Sequence, residues 1–164
     1  MARLAILTSS RWCYVFTLII VLFPNLVPSQ VYKPYPRTGE LLGQIETNLF
    51  LCQLSEQAAQ MSFELYAITQ SDEKKKKSEE AQASAQKCVN EARKKMQPLF
   101  KNAQAELQKN SEAVKKLKEL IGTWIGIISS MPRATLSRSA LAIRQQEDKK
   151  NYNAKDGALQ AELL

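Results

Sequence analysis

The segment ITQSDEK, residues 68–74, is the weakest helical stretch in a run that contains no glycine or proline from Gln44 to Gln97. Ser71 and Asp72 disfavour a helix interior and are good residues for capping the helix that follows. Asp72 and Glu73 then fall in a first helical turn, where negative charge is favoured. The segment therefore predicts a turn that separates one helix, A, from the next, B.

The two cysteines of the run, Cys52 and Cys88, point to the same place, because residue 70 is the midpoint between them. In one straight helix their Cα atoms would be about 54 Å apart, whereas a disulfide requires about 7 Å or less. An intramolecular bond therefore requires helices A and B to fold into an antiparallel hairpin. The alternative is an intermolecular bond between two long parallel helices.

Both cysteines belong to stripes of mostly apolar residues at helical spacing, which are typical of core-facing helix surfaces. On helix A the stripe consists of Leu42, Ile45, Leu49, Cys52, Glu56, Ala59, Phe63 and Tyr66, in which Glu56 is the one charged member. On helix B it consists of Ala81, Ala85, Cys88, Ala92 and Met96.

The first 29 residues are predicted to be a secretory signal peptide. Arg3 and Arg11 supply positive charge, Trp12–Phe23 is an apolar run of twelve residues, and small residues precede Gln30. A membrane-spanning helix needs about 20 apolar residues, so cleavage before Gln30 is favoured over a retained anchor. Cleavage removes two of the charges and lowers the formal net charge from +7 to +5. It leaves two cysteines, an even number that favours a disulfide in a secreted chain.

The remaining segments complete a predicted all-α fold: a small secreted bundle of three to four helices with a disulfide-stapled A/B hairpin. Residues 30–43 contain two of the prolines and are expected to be an extended arm. Residues 44–150 are the bundle, with a third helix starting at Pro98 and ending near Met131. A weaker fourth helix carries Leu136, Ala140 and Ile143 on one side, and residues 151–164 are expected to be a flexible tail.

Two surfaces are candidate binding sites. The first is the apolar segment LIGTWIGIISSM, whose residues Trp124, Ile121, Ile125 and Ile128 form either the buried end of a helix or a face for lipid or a protein partner. The second is the basic cluster Lys74, Lys75, Lys76 and Lys77, which is either a solvated surface, a patch for an anionic partner or a proteolytic processing site.

The composition argues against an enzyme. The chain has no histidine, which excludes Ser-His and Cys-His nucleophile pairs and histidine zinc sites. Two cysteines 36 residues apart do not form a zinc motif, and no glycine-rich phosphate loop occurs. No catalytic residue, metal or cofactor is therefore expected.

The predicted function is that of a secreted, non-enzymatic, monomeric protein that binds a protein partner or receptor in an extracellular fluid. Nucleic acid is not an expected partner, because many acidic residues are interspersed with the basic ones. The alternative is a lipid carrier or lipid-surface protein, since long helices with Ala- and Lys-rich polar faces resemble those of exchangeable apolipoproteins in composition. An inter-helix disulfide limits the opening that such carriers require.

Overall fold

The computed structural model describes residues 34–164, which are all-helical and contain no strand. We number the helices α1 (Pro36–Thr69), α2 (Asp72–Glu106), α3 (Ser111–Ser129) and α4 (Arg138–Leu163). The all-α prediction is confirmed for this part of the chain. The predicted signal peptide, residues 1–29, and the start of the predicted arm lie outside the described residues.

The predicted turn between the first two helices is confirmed. Helix α1 ends at Thr69, and α2 begins at Asp72. Gln70 adopts the left-handed conformation with φ 52°, and its N–H donates to the carbonyl oxygen of Tyr66 at 2.8 Å. This single left-handed residue ends the helix, as glycine does at many helix C-termini.

A disulfide joins the two helices within one chain. The Cα atoms of Cys52 and Cys88 are 5.6 Å apart. Farther from the turn, the Asn48 amide contacts the Met96 sulfur, and Thr38 binds Glu106. From residue 38 to residue 52 of α1, the contacting residue of α2 therefore runs from 106 down to 88.

The expectation of an extended arm at residues 36–43 is wrong, because α1 starts at Pro36. Proline suits the first turn of a helix, where its missing N–H has no intrahelical partner. The N-cap residue Tyr35 provides no side-chain bond. Instead, the Glu106 carboxylate accepts from the N–H groups of Arg37 (3.1 Å) and Thr38 (2.8 Å) and from the Thr38 hydroxyl (2.8 Å). A carboxylate from α2 thus caps α1, where the helix dipole favours negative charge.

The predicted start of a third helix at Pro98 is also wrong. Pro98 lies inside α2 on an exposed face, where water can solvate the carbonyl left without a donor. The break comes at residues 107–110. There Asn110 caps α3 by accepting from the N–H of Ala113 at 3.0 Å. The predicted end of this helix near Met131 agrees with the observed end at Ser129 to within two residues.

Residues 151–164 are not a flexible tail, because α4 continues to Leu163. The predicted apolar side of this helix is wrong as well: Leu136 precedes the helix and is exposed, and Ile143 is exposed. The buried residues of α4 lie on a different face and include Leu141, Asp148, Tyr152, Leu159 and Leu163. The tail therefore supplies part of the core.

The main core lies between the α1–α2 pair and the α3–α4 pair. Helix α3 contributes the largest buried side chain, Trp124, which is 2% exposed, together with Leu117, Leu120 and Ile128. The core stripes predicted on the first two helices are largely confirmed from Leu42 to Ala59 and from Ala85 to Met96. A small second cluster of Ala59, Ala85 and Ala134 lies nearer the turn.

Candidate binding surfaces

Helix α1 carries a second apolar stripe on its outer surface. Its members alternate in spacing by three and four residues, and its large side chains are between 45% and 80% exposed. We call this set the α1 stripe: Leu51, Leu54, Ala58, Met61, Leu65 and Ile68. A row of this regularity is a heptad seam, the pattern with which one helix packs against another.

Sequence reasoning missed the α1 stripe although its spacing is visible in the sequence. Helix α1 has two apolar faces, one through Ile45 and Cys52 and one through Leu54 and Leu65. Periodicity identifies such faces but does not show which of them the rest of the fold will cover. The heptad spacing of the second row could have shown that a second apolar face exists, but not that this face is the exposed one.

The end of the α1–α2 pair nearest the turn has no buried side chain from Met61 to Lys77. We call residues 61–77 the free end. Within this free end, Glu64 forms an ion pair with Arg138 of α4 at 3.0 Å, and α1 continues past this contact to Thr69. The free end therefore carries exposed apolar residues of α1 beside the first turns of α2.

The basic cluster Lys74–Lys77 lies on this free end. Lys75, Lys76 and Lys77 are exposed, and Lys77 forms an ion pair with Glu73 at 2.6 Å. The hydrogen bond from Lys77 lowers the pKa of the Glu73 carboxyl, and the positive charges of Lys77 and Lys74 act in the same direction. Lys75, Lys76 and Lys77 are thus accessible to solvent, and the anionic-partner patch stays a prediction.

The structure divides the apolar face predicted around Trp124. Trp124, Ile121 and Ile128 are buried in the core, whereas Ile125 is 46% exposed. Ile125 opens onto a groove of about 690 Å³ between α2 and α3. The groove is lined by Arg93, Lys94, Met96, Gln97, Phe100, Ile121, Trp124, Ile125 and Ser129.

The groove combines an apolar floor with a polar rim. A hydrogen bond from Arg93 to the Ser129 hydroxyl crosses it. The indole N–H of Trp124 is buried without a hydrogen-bond partner in the described chain. Apolar walls with a few polar groups are typical of small-ligand sites. The lipid alternative is therefore supported by the open groove beside Ile125 and not by the Trp124 indole, which is buried.

A buried ionic network accounts for Glu56, the charged residue of the core stripe. Arg133, in the connection before α4, donates to both Glu56 carboxylate oxygens at 2.8 Å and to the Asp148 carboxylate at 2.6 Å. The backbone N–H of Arg133 also donates to the Glu56 carboxylate at 2.8 Å, and the Gln145 side-chain amide donates to the same carboxylate at 3.0 Å. Burial disfavours the charged guanidinium, but the hydrogen bonds and negative charges of its two partners outweigh burial and raise the pKa of Arg133.

This network joins α1 and α4 to the connection between α3 and α4. Both carboxylates are buried and accept hydrogen bonds from the same guanidinium. We therefore assign the network to the architecture of the bundle. Within residues 34–164, no group of three or more acidic or cysteine side chains is placed to hold a metal ion.

Comparisons with known proteins identify no relative. No protein-family model, no curated protein and no solved structure matches the chain. Among the described helices, none is both long enough and apolar enough to cross a membrane.

Proposed function

We propose that this is a secreted, non-enzymatic helical protein that binds a protein partner or receptor in an extracellular fluid through the free end of its hairpin. Two features support secretion: the predicted signal peptide and the Cys52–Cys88 bond, because disulfides persist mainly in oxidising compartments. The basic cluster and the exposed apolar residues of the free end supply the two kinds of contact that a protein partner needs.

The proposal includes the orientation of the two long helices. A connection of two residues, a bond between Cys52 and Cys88, and contacts that pair residue 48 with 96 and residue 38 with 106 all support an antiparallel hairpin. In that arrangement the turn lies at one extremity of the hairpin, and Lys74–Lys77 lie beside it.

The observation that carries the proposal is the absence of buried side chains from residue 61 to 77. In globular proteins most helical stability comes from packing an amphipathic face against other elements. The free end contacts α4 through the ion pair between Glu64 and Arg138, yet it bears Met61, Leu65 and Ile68 in exposed positions. A partner chain that packs on this end would bury those residues.

Site-specific photo-crosslinking tests the proposal. A photoreactive residue at Lys75 on the free end is compared with one at Gln146, an exposed position of α4. The probe is the disulfide-bonded protein in the extracellular fluid of expressing cells. We expect one adduct with another protein at Lys75 that excess unlabelled protein abolishes. Equal labelling at both positions, or labelling that does not compete, would overturn the proposal.

A set of charge variants tests the contribution of the basic cluster. With the photoreactive residue kept at position 75, replacing Lys74, Lys76 and Lys77 by glutamine should weaken the competed adduct. The matched replacement of Lys94, Lys95 and Lys101, three exposed lysines of α2 outside the free end, should leave it unchanged. Loss of the adduct on raising the salt concentration would agree with an anionic partner, because salt screens exposed charges.

The second candidate function is lipid binding, and the groove beside Ile125 favours it. Its floor includes Phe100 and Ile121, and its rim carries Arg93 and Lys94, a combination suited to a fatty-acid anion. Titration with oleate, and separately with anionic liposomes, distinguishes this function. Saturable binding that Ile125→Gln abolishes would favour a carrier over the protein-binding proposal.

A further inference from the structure

The outer face of α1 meets the spacing requirement of a coiled coil. Written as heptads, Leu51, Ala58 and Leu65 occupy position a, and Leu54, Met61 and Ile68 occupy position d. Single exposed apolar residues are ordinary on a protein surface, but a contiguous row at a and d positions is the seam at which a second helix packs. The described chain covers the opposite face of α1 and leaves this seam exposed.

We propose that a second copy of this protein occupies the α1 stripe, and that the two α1 helices pack antiparallel about a two-fold axis between residues 58 and 61. In antiparallel coiled coils an a position of one helix meets a d position of the other. Here that rule pairs Leu51 with Ile68, Leu54 with Leu65 and Ala58 with Met61 of the second copy. All six seam positions are matched, and the small Ala58 faces the longer Met61.

The residues that flank the seam permit this contact. Ser55 and Ser62 lie along one side, and they are small and uncharged, which allows two helix backbones to approach closely. On the other side lie Gln57 and Glu64, and the Glu64 carboxylate is already paired with Arg138 at 3.0 Å. Flanking charges often decide which partner a seam accepts, and this seam presents no unpaired charge to oppose an identical copy.

Charge also selects the antiparallel orientation. Because Cys52 lies opposite Cys88, the basic cluster Lys74–Lys77 lies at the level of α1 residues near 65. A parallel dimer would place the two basic clusters at the same level. The antiparallel arrangement separates them by roughly 16 Å along the helix axis, which exceeds the distance of about 8 Å over which physiological salt screens charge.

The area of the stripe is sufficient for a weak dimer. Its exposed side chains present on the order of 500 Å², near the upper end of the apolar patches that monomers expose. Two copies would bury on the order of 1,000 Å², which reaches the lower limit for a specific interface. Since α1 is already helical within the fold, association does not bear the cost of forming it. This proposal replaces the sequence-based expectation of a monomer. The dimer buries Met61, Leu65 and Ile68, so a partner that packs on the free end competes with the second copy for these residues, and the basic cluster stays accessible in the dimer.

The mass of the protein in solution tests this inference. For the disulfide-bonded protein, light scattering or sedimentation over a range of micromolar concentrations should show the mass doubling as concentration rises. The variant Leu54→Gln/Leu65→Gln should raise the dissociation constant by at least about 100-fold. Ile143→Gln, which changes an exposed isoleucine of α4, should leave it unchanged. Far-ultraviolet circular dichroism and the melting temperature confirm that each variant is folded.

Engineered disulfides test the orientation. A mixture of Leu51→Cys and Ile68→Cys chains should form a mixed disulfide dimer, whereas neither chain alone should link to itself. Same-residue links in either chain alone would overturn the antiparallel arrangement. A monomer mass at every concentration, or a dimer that Leu54→Gln/Leu65→Gln does not weaken, would overturn the second-copy proposal. The crosslink at Lys75 with another protein is a separate readout, so either proposal can fail without the other.

Discussion

The two long helices, α1 and α2, pass through two different surroundings. The free end consists of residues 61–77. The packed half comprises residues 36–60 of α1 and 78–106 of α2. The packed half contains every buried residue of α1 and α2, the disulfide and the Glu106 cap. The free end contains none of these, and it carries Lys74–Lys77 and half of the α1 stripe. The same helical pair therefore supplies stability at one end and the surface proposed for binding at the other.

Removing the guanidinium of Arg133 should have the largest effect. Arg133→Met leaves the Glu56 and Asp148 carboxylates buried without their cation, and breaking a buried ion pair in this way typically costs about 3–5 kcal/mol. The matched change Arg138→Met removes a partner of the less buried Glu64 and should cost about 1 kcal/mol or less. Urea unfolding of both variants measures the difference. Equal losses would show that the buried network does not hold the packed half.

Trp124→Ala should cost nearly as much, about 3–5 kcal/mol, because it opens a cavity in the main core. Its sequence neighbour Ile125 is half exposed, so Ile125→Ala should change stability by about 0.5 kcal/mol or less. Thermal or urea unfolding compares the two. A Trp124→Ala protein with unchanged stability but altered ligand binding would instead make the indole part of a binding face.

Loss of the disulfide should follow. The bond closes a loop between residues 36 positions apart, so Cys52→Ala/Cys88→Ala should destabilise the fold by about 4 kcal/mol in the chain-entropy model, within a usual range of about 2–4 kcal/mol. The melting temperature should fall by several degrees or more. A non-reduced digest should link the peptides around the two cysteines in a species of intact monomer mass when dimers are dissociated by denaturant. A covalent dimer that reductant separates would contradict the intramolecular bond.

The dependence of stability on pH should reveal the buried carboxyl of Asp156. Burial raises its pKa above the ordinary 3.8, although the hydrogen bond from Gln160 acts in the opposite direction. The folded state therefore takes up this proton before the unfolded state does. As the pH falls through the raised pKa, the stability of the wild type should increase relative to that of Asp156→Asn, and the gain should level off below the ordinary pKa.

Glu46 takes part in the same titration. Burial raises the pKa of its carboxyl first, and the negative charge of Asp156 raises it further, while Lys149 lowers it. The unfolding free energies of the wild type, Asp156→Asn and the exposed control Glu79→Gln should be measured at about pH 7 and at about pH 4. A pH profile of Asp156→Asn that is parallel to the wild-type profile would contradict the raised pKa.

The smallest effect is expected at the free end. Ile68→Ser should change the unfolding free energy of the monomer by about 0.5 kcal/mol or less, because Ile68 is 80% exposed. Ile45→Ser, at a fully buried position of the same helix, should cost several kcal/mol. Amide hydrogen exchange should also be fastest near the turn and slow towards Cys52. Equal protection at both ends would show that the free end is held as firmly as the packed half.

The candidate surfaces were predictable to different degrees. The exposure of Lys75, Lys76 and Lys77 follows from charge, since lysines are rarely buried without a partner. Burial of Trp124 follows from its register with Leu117 and Ile128. The α1 stripe did not follow, because a helix with two apolar faces does not show by its spacing which face its neighbours will cover.

The sequence by itself determined the helical character of residues 44–97 and the turn at residues 70–71, because turn chemistry is local. It favoured the pairing of Cys52 with Cys88 within one chain over a bond between two chains, because the turn falls midway between the two cysteines. Only the tertiary structure decided the features whose causes lie far away in the chain. Glu106 caps a helix that begins about 70 residues earlier, Arg133 neutralises Glu56 across 77 residues, and the buried face of α4 depends on what α4 packs against. Spacing along one helix reports possible faces, whereas burial is a property of the neighbours that cover them.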